Sequence, residues 1–276
     1  MLKQKIMMFL LATMLCSAVQ LFGQVVELGI FGGGSYYIGE LNPDRQFFFT
    51  RPALGVNARF NVDDRWSVKL GGYRGTLTGD DAVRKSNEMR NLRFTTAITE
   101  LSAVVELNYL DYFIGSSNHY FTPYLYAGPA LFRFNPKAEY MGNMISLHDA
   151  GTEGQTIGQG KKYNLFGFAA VFGLGVKYSI GSRLGLTLDW GMRKAFTDFL
   201  DDVSGNYADF SQSTGLVTDA TLVLSDPSAI KHQPSVQRGN PENNDWYAIA
   251  GITIIYRFTI GEKTSCKDFE RSNNNK

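Results

Sequence analysis

The sequence predicts an all-β protein, an eight-stranded antiparallel transmembrane β-barrel with long external loops and short periplasmic turns. Three observations point there. Eight segments alternate, residue by residue, between an apolar or aromatic set and a second set, which is the period of a strand with two distinct faces. The connections between them run long, short, long, medium, long, short, long; membrane barrels sort their loops to two ends in this way, and a soluble sandwich has no reason to. Finally, nothing after the N-terminal segment approaches the roughly 20 apolar residues of a membrane-crossing helix, so a membrane-embedded chain must close its strands on themselves.

Composition agrees. The 276 residues carry a net charge of +1, with 29 glycines, 13% aromatics and only 8 prolines. That suits many kinked strands with aromatic girdles. No basic stripe is present, so nucleic acid is not an expected partner.

Residues 1–23 read as a secretory signal: Lys3 and Lys5, an apolar run from Ile6 to about Leu15, then Cys16-Ser17-Ala18. Cleavage fits after Ala18 or near Gly23-Gln24. A lipoprotein signal at Cys16 is disfavoured by Thr13 and Leu15. Without Cys16 only Cys266 remains, so no intramolecular disulfide is expected. The barrel is expected over 24–260 and a polar periplasmic tail over 261–276, both termini being periplasmic.

In order, Val25 to Tyr36 opens the barrel, with Val26, Leu28 and Ile30 outward and Gly32-Gly33-Gly34 marking a bend or close packing. No Lys-Ser/Thr follows those glycines, so a phosphate loop is not expected. Leu54, Val56, Ala58 and Phe60 form the outer set of strand two, and Asp63-Asp64 turns into strand three with Trp66, Val68, Leu70 and Gly72. A polar stretch from Thr78 to Asn91 precedes strand four, Leu92 to Tyr109, with Leu101, Ala103, Val105 and Leu107 outward. After Asp111 to His119, strand five is read with Tyr124, Tyr126, Gly128, Ala130, Phe132 and Phe134 outward. A loop from Asn135 to Tyr163 leads to strand six, Phe166 to Tyr178. Gly181-Ser182 turns into strand seven, with Leu184, Leu186, Leu188, Trp190 and Met192 outward, and a loop from Thr197 to Asn244 precedes the closing strand. There Trp246, Ala248, Ala250, Ile252, Ile254, Tyr256 and Phe258 form an unbroken apolar face with aromatics at both ends.

These outer faces turn Glu27, Arg59, Lys69, Glu100, Glu106, Arg133, Lys177, Asp189, Arg193 and Arg257 inward. An eight-stranded barrel is filled by its side chains, so the expectation is a network of ion pairs rather than a solute channel.

Nothing specifies a reaction, and no catalytic residue, cofactor or small-molecule substrate is expected. His119, His148 and His232 sit in three connections, the first at the end opposite the other two, which argues against a His metal cluster. A barrel lipase would need Ser, His and a carboxylate on one rim; His148 or His232 could supply the base, but no nucleophile stands out. Asp198, Asp201 and Asp202 with Ser204-Gly205-Asn206 offer oxygen ligands, though not at EF-hand spacing; a capped turn with solvated acids is the simpler reading.

Several segments together resemble the PorG family of Bacteroidota outer-membrane barrels. They are Glu27–Tyr37, Gly79-Asp80-Asp81-Ala82, Phe121-Thr122-Pro123-Tyr124-Leu125, Phe134-Asn135-Pro136-Lys137-Ala138 and Gly151-Thr152-Glu153-Gly154-Gln155, and most specifically Trp190–Lys194, Phe196–Gly205 and Gln237-Arg238-Gly239-Asn240. The resemblance implies a non-enzymatic, integral outer-membrane component of the type IX protein secretion system, held in the lipid bilayer and associated with the periplasmic ring proteins PorK and PorN. It offers no catalytic residues to transfer.

Overall fold

The computed structural model describes residues 25–42, 47–83, 90–211, 213 and 217–259. The expected signal (1–23, with Cys16) and tail (261–276, with Cys266) lie outside the described residues. The strands are β1 (Val25–Ile38), β2 (Arg51–Asn61), β3 (Trp66–Asp80), β4 (Arg93–Asn108), β5 (Phe121–Arg133), β6 (Pro136–Tyr140), β7 (Asn143–Ser146), β8 (Phe166–Ser179), β9 (Leu184–Ala195) and β10 (Trp246–Thr259).

Eight of them form the barrel, in the order β3-β2-β1-β10-β9-β8-β5-β4, and a further pairing of β3 with β4 closes it. Every pair is antiparallel. Closure leaves no free edge, the condition for strands to exist in hydrocarbon. The expected eight-stranded antiparallel barrel is therefore the observed fold. The remaining hairpin, β6–β7, stands on the loop end and pairs with the first residues of β4, Thr95 opposite Lys137.

The alternation works as the sequence implies. On β4, Leu101, Val105 and Leu107 are exposed while Glu100, Val104 and Glu106 are buried. Leu28, Ile30, Val56, Leu70, Phe168, Leu174, Leu188, Ile252 and Ile254 complete an exposed apolar wall, whose natural solvent is lipid rather than water. No helix among the described residues is long and apolar enough to cross a membrane.

Strand β5 is the exception, and its faces are the reverse of the expectation. Tyr124, Tyr126, Ala130, Phe132 and Phe134 are buried inside, whereas Phe121, Leu125 and Leu131 face out. The same inversion puts Arg133 outside, over the Phe166 ring at 5.9 Å. Both sets of β5 are apolar, so alternation alone does not say which is inner. Space decides it: a Cβ on Gly173 or Gly191 would strike the Tyr126 ring, one on Gly175 the Tyr124 ring, and one on Gly167 the Phe132 ring. Glycines on β8 and β9 leave room that the β5 aromatics fill.

Two boundaries also move. β3 continues to Asp80 through what reads as a polar connection, because Thr76, Thr78 and Asp80 stay in register with Ala97, Thr95 and Arg93. The 135–163 connection holds the β6–β7 hairpin and a helical turn, Leu147–Ala150, capped by Ser146, whose hydroxyl accepts from the Asp149 N–H. The last connection contains a helix, Asp219–Ser225, capped in the same way by Thr218.

Candidate functional site: a sealed barrel and its loop-end cap

The remaining inward charges, Arg257 excepted, are packed into ion pairs. Glu106 lies at the centre: Arg59 Nε donates to it at 2.7 Å, Lys177 Nζ approaches at 2.7 Å and Lys69 Nζ at 3.0 Å. Arg59 also reaches Glu27 at 3.0 Å, and Asn61 donates to Glu27 at 2.7 Å. Nearer the loop end, Arg193 spans both oxygens of Glu100, at 3.1 and 3.2 Å, and the Tyr247 hydroxyl donates to Glu100 at 2.7 Å. Lys177 and Lys69 lie over the Tyr124 and Tyr126 rings at 4.5 and 4.6 Å. Arg59, Lys69, Lys177 and Arg193 thus meet Glu27, Glu100, Glu106 and Asp189, all buried. Such pairing is what makes charge tolerable in a buried interior, and side chains fill the bore.

The turn end is plugged from within the chain. The 109–120 connection folds back so that Tyr112 and Ile114 pack on Ile255. The Arg257 guanidinium donates to the Ile114 carbonyl, and Gly115 N–H donates to Ser179 Oγ at 2.9 Å.

The loop end is closed by a polar cap, and here the motif segments of the sequence meet. Asp81 accepts a two-pronged bond from Arg90, at 2.7 and 2.8 Å, and Arg90 donates onward to the Arg238 carbonyl at 2.7 Å. Arg238 is buried, donating to Glu153 at 3.0 Å, to the Ser225 carbonyl at 3.1 Å and to the Asp202 carbonyl. Glu153 accepts from the backbone N–H of Ser204 and Gly205, at 2.9 and 3.0 Å. Asp202, in left-handed backbone at φ 65°, accepts from Thr152 Oγ1 and from the Tyr163 hydroxyl at 2.6 Å. Tyr163 in turn stacks on Phe199, centroids 4.4 Å apart. Gly239 fits closely, since a Cβ there would lie 2.7 Å from Ser204 N.

Tyr37 ties the first strand to the last connection. Its hydroxyl lies 2.5 Å from Asp201 Oδ2 and 2.7 Å from Asp245 Oδ1. A phenol has one proton to donate. With two carboxyl oxygens in hydrogen-bond contact, one carboxyl must carry a proton of its own and donate to the phenol oxygen. The other oxygens accept from Val203 N–H at 2.9 Å and Leu200 N–H at 3.0 Å. Burial raises the pKa of Asp201 and Asp245, and the proximity of Asp201 raises Asp245 further, in agreement with that proton count. Burial also pushes Asp202 up to about 6 against the pull of Arg238, and Asp198 up to about 7. Neither Asp198 oxygen completes a hydrogen bond.

The acids of the 198–202 segment are therefore not a solvated turn: Asp198, Asp201 and Asp202 are buried. Asp201 and Asp202 point to different partners, and no group of three or more His, Cys, Asp or Glu among the described residues is arranged to hold a metal ion. The histidines stay apart. His148 bonds Asp149 and the Tyr163 carbonyl. His232 stacks on Tyr207 at 4.3 Å and meets Asp226 and Ser228. Both contacts fall on the same nitrogen, Nδ1, whereas a nucleophile relay needs the carboxylate and hydroxyl on opposite nitrogens.

Among solved structures the chain is similar to the Ail attachment invasion locus protein of Yersinia pestis (9% identity, 86% of this chain and 99% of that one, TM-score 0.42). It is also similar to Neisserial surface protein A (8%, 84% and 97%, TM-score 0.42) and to OprG of Pseudomonas aeruginosa (12%, 86% and 98%, TM-score 0.41). The fold assignment rests on this chain's own closure and register and not on these distant likenesses. Comparison with curated protein sequences gave no match. Residues 4–220 match the sequence profile of a domain of unknown function, DUF6089, and the chain belongs to that family.

Proposed function

We propose that this chain is a non-enzymatic, integral outer-membrane barrel that serves as a component of the type IX protein secretion system, with its termini and short turns in the periplasm, in reach of a ring of PorK and PorN type. The supporting observation is the convergence of the segments that carry the resemblance. The 79–82, 151–155, 196–205 and 237–240 stretches lie far apart in the chain and join in one buried network. A barrel sealed at both ends is a rigid platform with two faces, and it offers no bore for a solute. The platform's periplasmic face would be the short turns and the folded-back 109–120 connection.

The test is a mild-detergent pull-down of the tagged protein from outer membranes, with mass spectrometry of what accompanies it. Co-recovery of the ring proteins, together with loss of sorting-domain export on gene deletion, is the expected result. A barrel recovered alone after cross-linking, with export intact, would remove the secretion role. That outcome would favour the second reading, an adhesive or structural barrel acting through its loops, where Met141, Met144, Leu222 and Ile230 are exposed. Lipid A and phospholipid composition should be unchanged by the deletion, and a His148→Ala, His232→Ala double variant should behave as wild type.

A further inference from the structure

The outer wall is not uniform around the barrel. Across β2, β3, β4 and β5, one row of outward residues reads Leu54, Arg74, Thr99, Arg133 in direct register. One step towards the turn end the row becomes Val56, Gly72, Leu101, Leu131, and beyond it Ala58, Leu70, Ala103 and Pro129. Small residues among the larger ones leave an apolar hollow of about 960 Å³ that runs along the outer wall from Phe258 and Leu28 to Leu131 and Phe168; its β2–β5 part lies one step below the row of the two arginines. Towards the loops the outward residues turn polar over the next three steps, Thr76 beside Ala97, then Thr78 beside Thr95, then Asp80 beside Arg93, with Lys137 opposite Thr95. Arg74 and Arg133 thus sit at the boundary between the apolar belt and the polar rim.

Their condition contrasts with that of the inward cations. Arg74 is exposed and makes no hydrogen bond or ion pair among the described residues, and Arg133 has only the face of Phe166. A guanidinium at the edge of hydrocarbon reaches the interface by snorkelling, and there its planar fork fits phosphate oxygens. With one strand between them, the two backbones are about 10 Å apart, a span suited to a phosphorylated sugar rather than to one compact phosphodiester.

We propose that this wall binds a phosphorylated, acylated saccharolipid of the lipid A class, its phosphate groups on Arg74 and Arg133 and an acyl chain in the hollow. The choice of lipid rests on the reading above that the loop end is external, since that puts the arginines in the outer leaflet.

The test is native mass spectrometry of the full barrel released from detergent with one of three defined probes: diphosphoryl lipid A, its dephosphorylated form, or phosphatidylglycerol. Retention of lipid A about tenfold above both others is expected, on the strength of charge-assisted bonds. The Arg74→Gln, Arg133→Gln double variant should lose that preference. Gly72→Leu fills the hollow without a clash, since its Cβ meets Leu101 Cδ2 at 3.6 Å and Val56 Cγ2 at 4.0 Å. It should weaken lipid A retention while leaving the preference for phosphate. Heat-dependent gel mobility verifies that each variant is folded. Unchanged retention in the double variant, or equal retention of phosphatidylglycerol, would overturn the proposal. Orientation is measured separately, by labelling Met141→Cys in a Cys266→Ser background on intact cells. Failure to label until the outer membrane is broken would overturn the external reading, and lipid A as occupant with it. Labelling without lipid preference would overturn the lipid site alone.

Discussion

Inside the strands, Arg59, Lys69, Lys177 and Arg193 face Glu27, Glu100, Glu106 and Asp189, cation for carboxylate. In the cap, Arg90 and Arg238 face Glu40, Asp81, Glu153, Asp198, Asp201, Asp202 and Asp245. Both regions bury charge, but only the first is neutral by side-chain pairing. Among the described residues of the cap the carboxyls outnumber the cations, and the shared Tyr37 hydroxyl requires a proton on one of them. The difference separates two roles: a barrel wall fixed by ion pairs and a cap whose closure depends on the solution around it.

The comparison is broken most directly at Glu106. Glu106→Ala leaves Arg59, Lys69 and Lys177 buried around an empty position, and removing one partner from such a site costs about 3–5 kcal/mol. The heat-modified gel transition of the refolded barrel should fall accordingly; a transition equal to wild type would mean that water compensates these charges.

Arg238→Ala should act on the other region. It unties the Glu153, Asp202 and Ser225 contacts, each bond to a charged group being worth about 1.5–3 kcal/mol. Protease cleavage within 197–245 should accelerate while the gel transition of the barrel stays near wild type. If both changed together, cap and barrel would be one cooperative unit.

Acidity should sharpen the contrast. Asp198 and Asp202 are held near 7 and 6, above the ordinary aspartate value, and Asp201 and Asp245 are raised as well. A carboxyl with a raised folded-state pKa contributes stability that is complete at low pH and lost as pH climbs through the raised value. Loop protease resistance, or amide exchange protection, should therefore be greater at pH 5 than at pH 8, with the loss starting at the ordinary aspartate value of about 4 and complete by about 6 for Asp202 and about 7 for Asp198. Protection that rises with pH would contradict the proton count. Tyr37→Phe removes the phenol that separates Asp201 from Asp245, at about 1–3 kcal/mol for the unsatisfied groups; because its hydrogen bonds hold both carboxyls down, the variant should move the Asp201 and Asp245 share of the loss to higher pH. The smallest effect belongs to the exposed Arg65–Asp111 pair at 2.8 Å, which water and salt screen. Arg65→Ala should leave both the gel transition and loop cleavage unchanged.

Reading the residues alone goes far along the strands and stops at their ends. The β4 and β10 alternations name their inner and outer faces without help, because one set is apolar and the other carries Glu100 and Glu106, or Thr253 and Arg257. On β5 the same reading fails, since Tyr124, Tyr126 and Phe132 look as fit for lipid as Leu125 and Leu131. The signal that could have found the answer lay on other strands, in Gly173, Gly175 and Gly191, whose missing side chains leave the space those rings occupy. In the cap, the acids of 198–202 are visible in the sequence but their burial is not, because Tyr37, Thr152, Glu153 and Arg238 reach them from distant segments.

The residues alone give the number of barrel strands, their antiparallel run and the sorting of loops to two ends, but not the β6–β7 hairpin within the 135–163 connection. These follow from a two-residue period and from turn residues, both local properties of a chain that must satisfy its backbone in lipid. Which β5 face is inner, where each buried charge finds its partner and how the loops become a cap emerge only in the folded molecule. Those depend on volume and hydrogen-bond partners supplied across the barrel, as when Tyr37 meets Asp245 across 208 residues of chain, and a local pattern does not encode that distance.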